Sequence, residues 1–386
     1  MSSSSDQVLA TFAEKFTTTP RLYFAPGRIN LIGEHVDYNE GFVMPAAINK
    51  GIWYAVAPNT TNQANFYTTD LHENLTIDLD SIHKMDGWKN YVLGVLDQLQ
   101  KAGYKIGGFD CVFGGNLPVG AGMSSSAAVE CGLLVALNDA FQYGLDRVTI
   151  AKMAQKAEHT YPGVKCGIMD MFANMMGKMD HVILLNCMNL DYRYLPLPLT
   201  DYSIILINTK VHHSLAGSAY NERRNECAEG FKILQSLVPG ITSWQNLKVE
   251  DVEKNKDHLP ENIYKRCLYV TGEIERTLKA SKHLENSELK AFGELMFQTH
   301  EGLSKLYEVS CPELDFLVDQ AKSYEAIIGS RVMGGGFGGC TINLIKTSEW
   351  GAITQTIVKA YKAAFNIDAE VYDMALCDGT YEAVAN

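Results

Sequence analysis

The sequence predicts a chain of interspersed helices and strands folded as two or three domains, on three observations. Its 386 residues exceed the roughly 100 to 200 of a single typical domain. Stripes of helical period and short apolar runs bounded by polar or turn residues alternate along it. Apolar residues make up 46% and charged residues 20%, a globular balance that excludes extended disorder and fibrous repeats.

Trp88, Tyr91, Val92, Val95, Leu96 and Leu99 share one helical face, and Gly103 follows as a C-cap. A second helix is predicted to start at Ser124 to Ser126 and to run past Leu133, Leu134 and Leu137. Strands are predicted over 51–57, 182–186, 202–208, 340–345 and 369–374, and a further strand leads into the glycines of 334–339. Between the halves, Pro196 and Pro198 are expected to break regular structure across 190–200. That stretch sets the expected domains at 1–195 and 196–386, the last strand being free to return to the first.

With 33 Lys and Arg against 45 Asp and Glu, the formal charge is −12. A general nucleic-acid binder needs the opposite balance. No apolar run approaches the roughly 18 residues of a spanning helix, and the N-terminus lacks a basic region followed by an apolar one. Neither membrane insertion nor secretion is expected. The nine cysteines are odd in number, show no Cys-x-x-Cys spacing and lie mostly among apolar neighbours, which points to reduced, buried thiols in the cytoplasm.

Four segments carry chemistry. In residues 117–128, Leu-Pro-Val-Gly-Ala-Gly-Met-Ser-Ser-Ser-Ala-Ala, a small-residue loop enters an apolar helix. Backbone N–H groups there close on an anion, and hydroxyls donate to phosphate or ligate Mg²⁺. The alternative is a plain Ser-capped helix. No Gly-Lys-Ser/Thr follows, so this is not the common P-loop. Residues 25–39 gather Arg28, Glu34, His35 and Asp37 beside Leu31 and Ile32. Buried polar groups need partners, and a sugar supplies them: its hydroxyls donate to the carboxylates, His35 adds a hydrogen bond, and Arg28 is left for phosphoryl charge. A metal at His35 and Asp37 or a solvated loop are the alternatives.

The third segment holds Glu158 near a helix end and Asp170 in the apolar run 167–172. Arg28 is a natural partner for Asp170, which would then accept a substrate hydroxyl proton, while Glu158 would hold Mg²⁺. A helix-capping Asp170 and a surface Glu158 are the bland alternative. The fourth is the loop of Gly334, Gly335, Gly336, Phe337, Gly338 and Gly339, which permits close approach to a ligand or to another chain segment.

In order, these motifs resemble the signatures of the GHMP small-molecule kinases, and within them those of the galactokinase family. Residues 27–39 resemble the galactokinase signature, 120–128 the nucleotide-phosphate motif and 333–340 the third motif. The resemblance spans nearly the whole chain and implies an α+β fold of two domains with the active site in the cleft between them. It implies ATP-dependent phosphorylation of α-D-galactose at the anomeric hydroxyl, the first step of galactose catabolism. An N-acetylgalactosamine kinase and a non-catalytic sensor of galactose and ATP are the alternatives.

By the same resemblance Asp170 is the catalytic base and Arg28 stabilises the transition state. Glu34, His35, Val36, Asp37, Gly167 and Tyr220 contact the sugar. Gly120, Ala121, Gly122, Met123, Ser124, Ser125 and Ser126 bind nucleotide phosphate, Ser126 and Glu158 hold Mg²⁺, and Trp88 packs near adenine unless it is a core residue of its helix. Met171 stands where the family has Gln, and Met123 where Leu is common. Neither change removes a reacting group, although Met171 bears on how Asp170 is supported. His212, His213 and His300 are expected to be ordinary structural residues. With no long coiled-coil seam, a monomer is expected.

Overall fold

The computed structural model describes residues 4–118, 120–212 and 216–384; His213 lies outside them. Helix α1 (Ser4–Lys15) precedes strands β1 (Arg21–Asn30), β2 (Phe42–Val43), β3 (Pro45–Pro58), β4 (Gln63–Thr68) and β5 (Glu73–Asp78). Next come α2 (Lys89–Lys101), β6 (Phe109–Gly115), α3 (Ser125–Phe141), α4 (Arg147–Thr160) and α5 (Met169–Met176). Strands β7 (His181–Asn186), β8 (Tyr192–Pro196) and β9 (Tyr202–His212) lead to helices α6 (Ala216–Leu237), α7 (Val249–Lys254), α8 (Glu261–Glu285), α9 (Leu289–Lys305) and α10 (Pro312–Lys322). The chain ends with β10 (Ile327–Met333), β11 (Gly338–Lys346), α11 (Trp350–Phe365), β12 (Glu370–Met374) and β13 (Tyr381–Ala383).

The fold is α+β in two domains. A six-stranded sheet has the order β13-β1-β3-β6-β4-β5, a four-stranded one β10-β11-β9-β12, and a three-stranded one β2-β7-β8. The final strand β13 pairs with β1. Contrary to the break expected across 190–200, residues 192–196 form β8, paired with β7. Pro196 is tolerated because it ends an edge strand, where a missing N–H breaks no ladder on the open side.

Alternation along the strands explains the layers. In β3, Tyr54 and Val56 face the large core with Leu96, Leu99, Leu133 and Leu137, whereas Ala55 and Ala57 meet Val8 and Phe12 of α1 on the other face. In β9 the unbroken run Ile204 to Ile207 is covered on both sides. Ile204 and Leu206 pack with Phe292 and Met296 of α9, and Ile205 and Ile207 with Leu317 of α10 and Ile357 of α11. Burying each such side chain stabilises the fold by about 1.5–3 kcal/mol. These layers hold four features rigidly around one cleft: the end of β1, the N-termini of α3 and α5, and the β10–β11 turn.

Candidate active site

Arg28 lies near the end of β1 and is buried, 5% exposed. Its Nε donates to Asp170 Oδ1 at 2.7 Å and its Nη2 to Oδ2 at 2.9 Å, a two-pronged match of guanidinium to carboxylate. The remaining Nη1 donates to Gly122 O at 2.5 Å, and the Arg28 backbone N–H donates to Met123 O at 3.1 Å. The sugar-signature strand is thus tied directly to the phosphate loop.

Asp170 sits in the first turn of α5, but its carboxylate caps nothing. It is held by Arg28 and by the Ser124 hydroxyl, which donates to Oδ2. Ser124 precedes α3 with φ 58°, and its side chain makes no cap hydrogen bond. A left-handed serine is a strained choice; here it turns the hydroxyl away from the helix and onto Asp170. The Ser-capped and Asp-capped alternatives are therefore not what these residues form. The α3 first-turn N–H groups, without intrahelical partners, remain available to an anion.

The sugar-signature segment is buried rather than solvated. Glu34, 2% exposed, accepts through Oε2 from Arg331 Nη1 and from Gly334 N–H, both at 2.9 Å. Arg331 is fully buried in β10, and its Nε also donates to Leu31 O at 2.8 Å. Its role was not read from the sequence, although a charge inside the apolar run 327–333 signals a buried partner in the same way as Asp170 does. Glu273 of α8, another unforeseen contributor, accepts the Gly33 N–H at 2.9 Å.

Asp37 faces the same cleft, and burial, helped by the charges of Asp170 and Glu34, pushes its carboxyl up to about 7. Gly167 packs against it so closely that a Cβ there would lie 2.0 Å from Asp37 Oδ2. Tyr220 of α6 brings its ring to 5.4 Å from the His35 ring.

Two residues of this segment are held by the protein itself. His35 has both ring nitrogens engaged, Nδ1 with Tyr38 Oη at 2.7 Å and Nε2 with Gly335 O at 3.2 Å. It lines the cleft beside Glu34 and Asp37, with neither ring nitrogen left open for the metal considered above. Burial pushes its imidazole down to about 4. Val36 is wholly buried with its side chain in the core rather than on the cleft.

Ser126 and Glu158 line the cleft beside Asp170. Glu158, 5% exposed, is no surface residue; burial raises it to about 7 against the opposing effect of a hydrogen bond from Ser126. It also shares a hydrogen bond with the carboxyl of Glu130, which burial and Glu158 hold well above the usual carboxylate range. The two glycine loops meet backbone to backbone, since a Cβ on Gly334 would sit 3.3 Å from Gly122 O. Ala121 and Met123 are buried in the core beneath them. Met171 is also buried, so Asp170 takes its support from Arg28 and Ser124 rather than from its neighbour. Trp88 stands apart from the cleft-lining residues, its indole donating to Glu73 Oε2 at 2.8 Å and its ring against Phe113.

Three family models match the chain: the galactokinase galactose-binding signature over residues 10–58, the GHMP kinases N terminal domain over 90–178, and the GHMP kinases C terminal over 280–360. A galactokinase of Thermotoga petrophila is 39% identical over 92% of this chain and 98% of its own length. One of Clostridium acetobutylicum is 41% identical over 93% of both. The crystal structure of Lactococcus lactis galactokinase complexed with galactose superposes with a TM-score of 0.94, at 35% identity, covering 98% of this chain and 99% of that one. A Methanococcus jannaschii mevalonate kinase, 19% identical with a TM-score of 0.65 over 94% of this chain and 100% of that one, shares the fold. Sustained identity along nearly the full length, with the same fold throughout, shows that the chain belongs to the galactokinase family of the GHMP kinases.

Proposed function

We propose that the chain transfers the γ-phosphoryl group of ATP to the anomeric hydroxyl of α-D-galactose, giving galactose 1-phosphate and ADP. The observation that carries this reading is the Arg28–Asp170 pair, which faces Glu34 and Asp37 on one side and the α3 N-terminus on the other. Carboxylates suit a polyhydroxylated substrate because their oxygens accept from neighbouring hydroxyls. First-turn amides and small residues, Gly120 through Ser126, suit phosphate.

Glu34, Asp37, Gly167 and Tyr220 would seat the sugar so that its anomeric hydroxyl donates to Asp170, directing an oxygen lone pair at the γ-phosphorus. As the new P–O bond forms and the bond to the ADP oxygen breaks, the hydroxyl proton passes to Asp170. In a loose transition state that transfer is late, so Asp170 contributes chiefly by orientation. Arg28 holds Asp170 in place and lends positive charge to the phosphoryl oxygens.

Ser126 and Glu158 would hold Mg²⁺; two buried carboxyls side by side, Glu158 and Glu130, lack a cationic neighbour among the described residues and fit a cation there. No cluster of three or more His, Cys, Asp or Glu suited to a metal occurs among the described residues, which accords with an ion that keeps waters and takes its other ligands from phosphate. When bound, Mg²⁺ neutralises charge on the transferring and leaving phosphates. All nine cysteines are free thiols, which supports a cytoplasmic setting. No helix among the described residues is long and apolar enough to cross a membrane.

The test is ADP release from MgATP with galactose, N-acetylgalactosamine, glucose or no sugar, followed by NMR assignment of the phosphorylated carbon. Galactose-dependent turnover giving the 1-phosphate supports the proposal. Turnover of the acetamido sugar alone replaces the substrate, and binding of galactose and ATP without turnover replaces the enzyme with a sensor.

A further inference from the structure

His35 is tied to the far side of the cleft through groups that touch no reacting atom. Gly335 O only accepts, so the proton of the neutral imidazole resides on Nε2. Nδ1 is then the acceptor, and the Tyr38 hydroxyl donates to it at 2.7 Å. With its proton so committed, Tyr38 Oη accepts from the Tyr307 hydroxyl at 2.9 Å. Tyr307 Oη in turn accepts from the Cys227 thiol, 3.1 Å away. Every direction in this chain follows from the one carbonyl at its end. Tyr307 and Cys227 are wholly buried, so water does not substitute for either donor.

The chain of hydrogen bonds also joins segments far apart in sequence. Cys227 belongs to α6 and Tyr307 follows α9, whereas Tyr38 and His35 belong to the sugar-signature segment. At its end, His35 holds Gly335, next to Gly334, whose N–H supports Glu34. The Tyr307 ring also lies 4.6 Å from that of Tyr269, whose hydroxyl donates to Glu34 O at 2.9 Å. His35 itself has φ 59°, a conformation needing outside support in a residue other than glycine.

We propose that Tyr38, Tyr307 and Cys227 form a one-way hydrogen-bond relay, its sense set by Gly335 O, that holds the His35 ring in place, so that His35 braces the Gly334–Gly335 turn and thereby positions Glu34 for the sugar. These are positioning residues. This rests on the sugar-binding reading of the cleft, whereas the tautomer itself is measured without sugar.

The test combines ¹⁵N NMR of the histidine-labelled full chain, with the His35 signals assigned by their loss in His35→Gln, and galactose binding and kinetics of Tyr38→Phe, Tyr307→Phe and the double variant. The unaltered protein should show His35 protonated at Nε2 and bare at Nδ1. Tyr38→Phe should leave the proton on Nε2, opposite Gly335 O, but release the ring at Nδ1 and raise both the galactose Kd and KM by about tenfold, the effect of losing one buried hydrogen bond. Its kcat at saturating galactose should stay within about twofold, since the relay does not contact Asp170, and any change in ATP affinity should be smaller than that in galactose affinity, since the phosphate loop is reached only through the Gly334 backbone. Tyr307→Phe should have a smaller effect in the same direction. The double variant should be no worse than Tyr38→Phe, because Tyr307 acts through Tyr38.

A proton on Nδ1 in the unaltered protein would overturn the relay, as would additive effects of the two substitutions or a galactose Kd unmoved in Tyr38→Phe. Circular dichroism and thermal melting separate these results from misfolding; if Tyr38→Phe fails to fold, the tautomer measurement and Tyr307→Phe still decide. If the unaltered chain binds no galactose, the sugar reading falls, and the relay stands or falls on the NMR alone.

Discussion

Arg28 grips both carboxylate oxygens of Asp170, at 2.7 and 2.9 Å, and does so from a strand 142 positions away in the chain. With Ser124 as a third donor, this fixes the carboxylate's plane before any substrate arrives. Replacing Asp170 by Asn keeps the shape but removes the proton acceptor and the charge that holds Arg28. Turnover should fall by about 10²- to 10⁴-fold, while ATP affinity changes little. Steady-state kinetics alongside equilibrium binding of a nucleotide analogue checks this, and near-normal turnover would remove Asp170 from the mechanism.

Gly167 leaves no room for a side chain, since a Cβ would lie 2.0 Å from Asp37 Oδ2 and 2.9 Å from Asp37 Cβ. Gly167→Ala should therefore displace Asp37 and raise the galactose KM by about tenfold or more, as expected when a buried charge-assisted hydrogen bond is lost. The ATP KM should be spared. Equal losses for both substrates would show that the clash spreads beyond Asp37.

The raised value of Asp37, about 7, has a definite sign for stability. A carboxyl whose folded-state value lies above its unfolded one favours the folded state at low pH. That contribution is lost as pH rises from about 4 through about 7. Glu158 and Glu130, also raised by burial, act in the same direction. Thermal melts between about pH 5 and 8 should show the parent chain losing more stability than Asp37→Asn. Parallel curves would mean that Asp37 does not titrate in this range.

Glu158→Gln leaves the packing of α4 intact but removes the charge offered to a cation. The Mg²⁺ concentration for half-maximal activity should rise by about 10- to 100-fold, in line with the loss of a charged ligand interaction. Galactose binding measured without nucleotide should be unaffected. An unchanged Mg²⁺ requirement would move the ion elsewhere.

Arg331 carries a prediction about stability rather than chemistry. It is wholly buried and shares Glu34 with Gly334. Arg331→Met would leave the Glu34 carboxylate buried without its countercharge, at a cost of about 3–5 kcal/mol. Urea unfolding measures this directly, and a loss below about 1 kcal/mol would show that Glu34 finds another partner.

Local patterns were legible where a single segment contains its own reason. The stripe from Trp88 to Leu99 needed only helical spacing, and the helix after Ser124 only its apolar run and small-residue entry. Asp170 was legible because a carboxylate in an apolar run requires a partner. Arg331 obeys the same rule but lies next to a glycine run that drew the reading toward the turn. Glu273, Tyr269 and Tyr307 left no such trace, since each sits in an ordinary amphipathic context and acquires its role only from what packs opposite. Pro196 misled for a related reason: whether a proline breaks a strand depends on the strand's place in the sheet, and β8 is an edge.

The sequence by itself determined which groups the cleft would contain: Arg28, Glu34 and Asp37 from one segment, the small-residue phosphate loop from another, and Glu158 and Asp170 from a third. Their chemical types and spacing are properties of short stretches of chain. Only the tertiary structure decided how they are held. The Arg28–Asp170 pair, expected from the sequence, forms because β1 ends at the N-terminus of α5, whereas the pairing of Glu34 with Arg331 and Gly334, from 297 and 300 residues away, left no sign in the sequence. His35 lines the cleft with its ring nitrogens within hydrogen-bond reach of Tyr38 and Gly335. Hydrogen-bond partners are chosen by distance and direction in space, and those follow from the packing of whole layers rather than from any one segment.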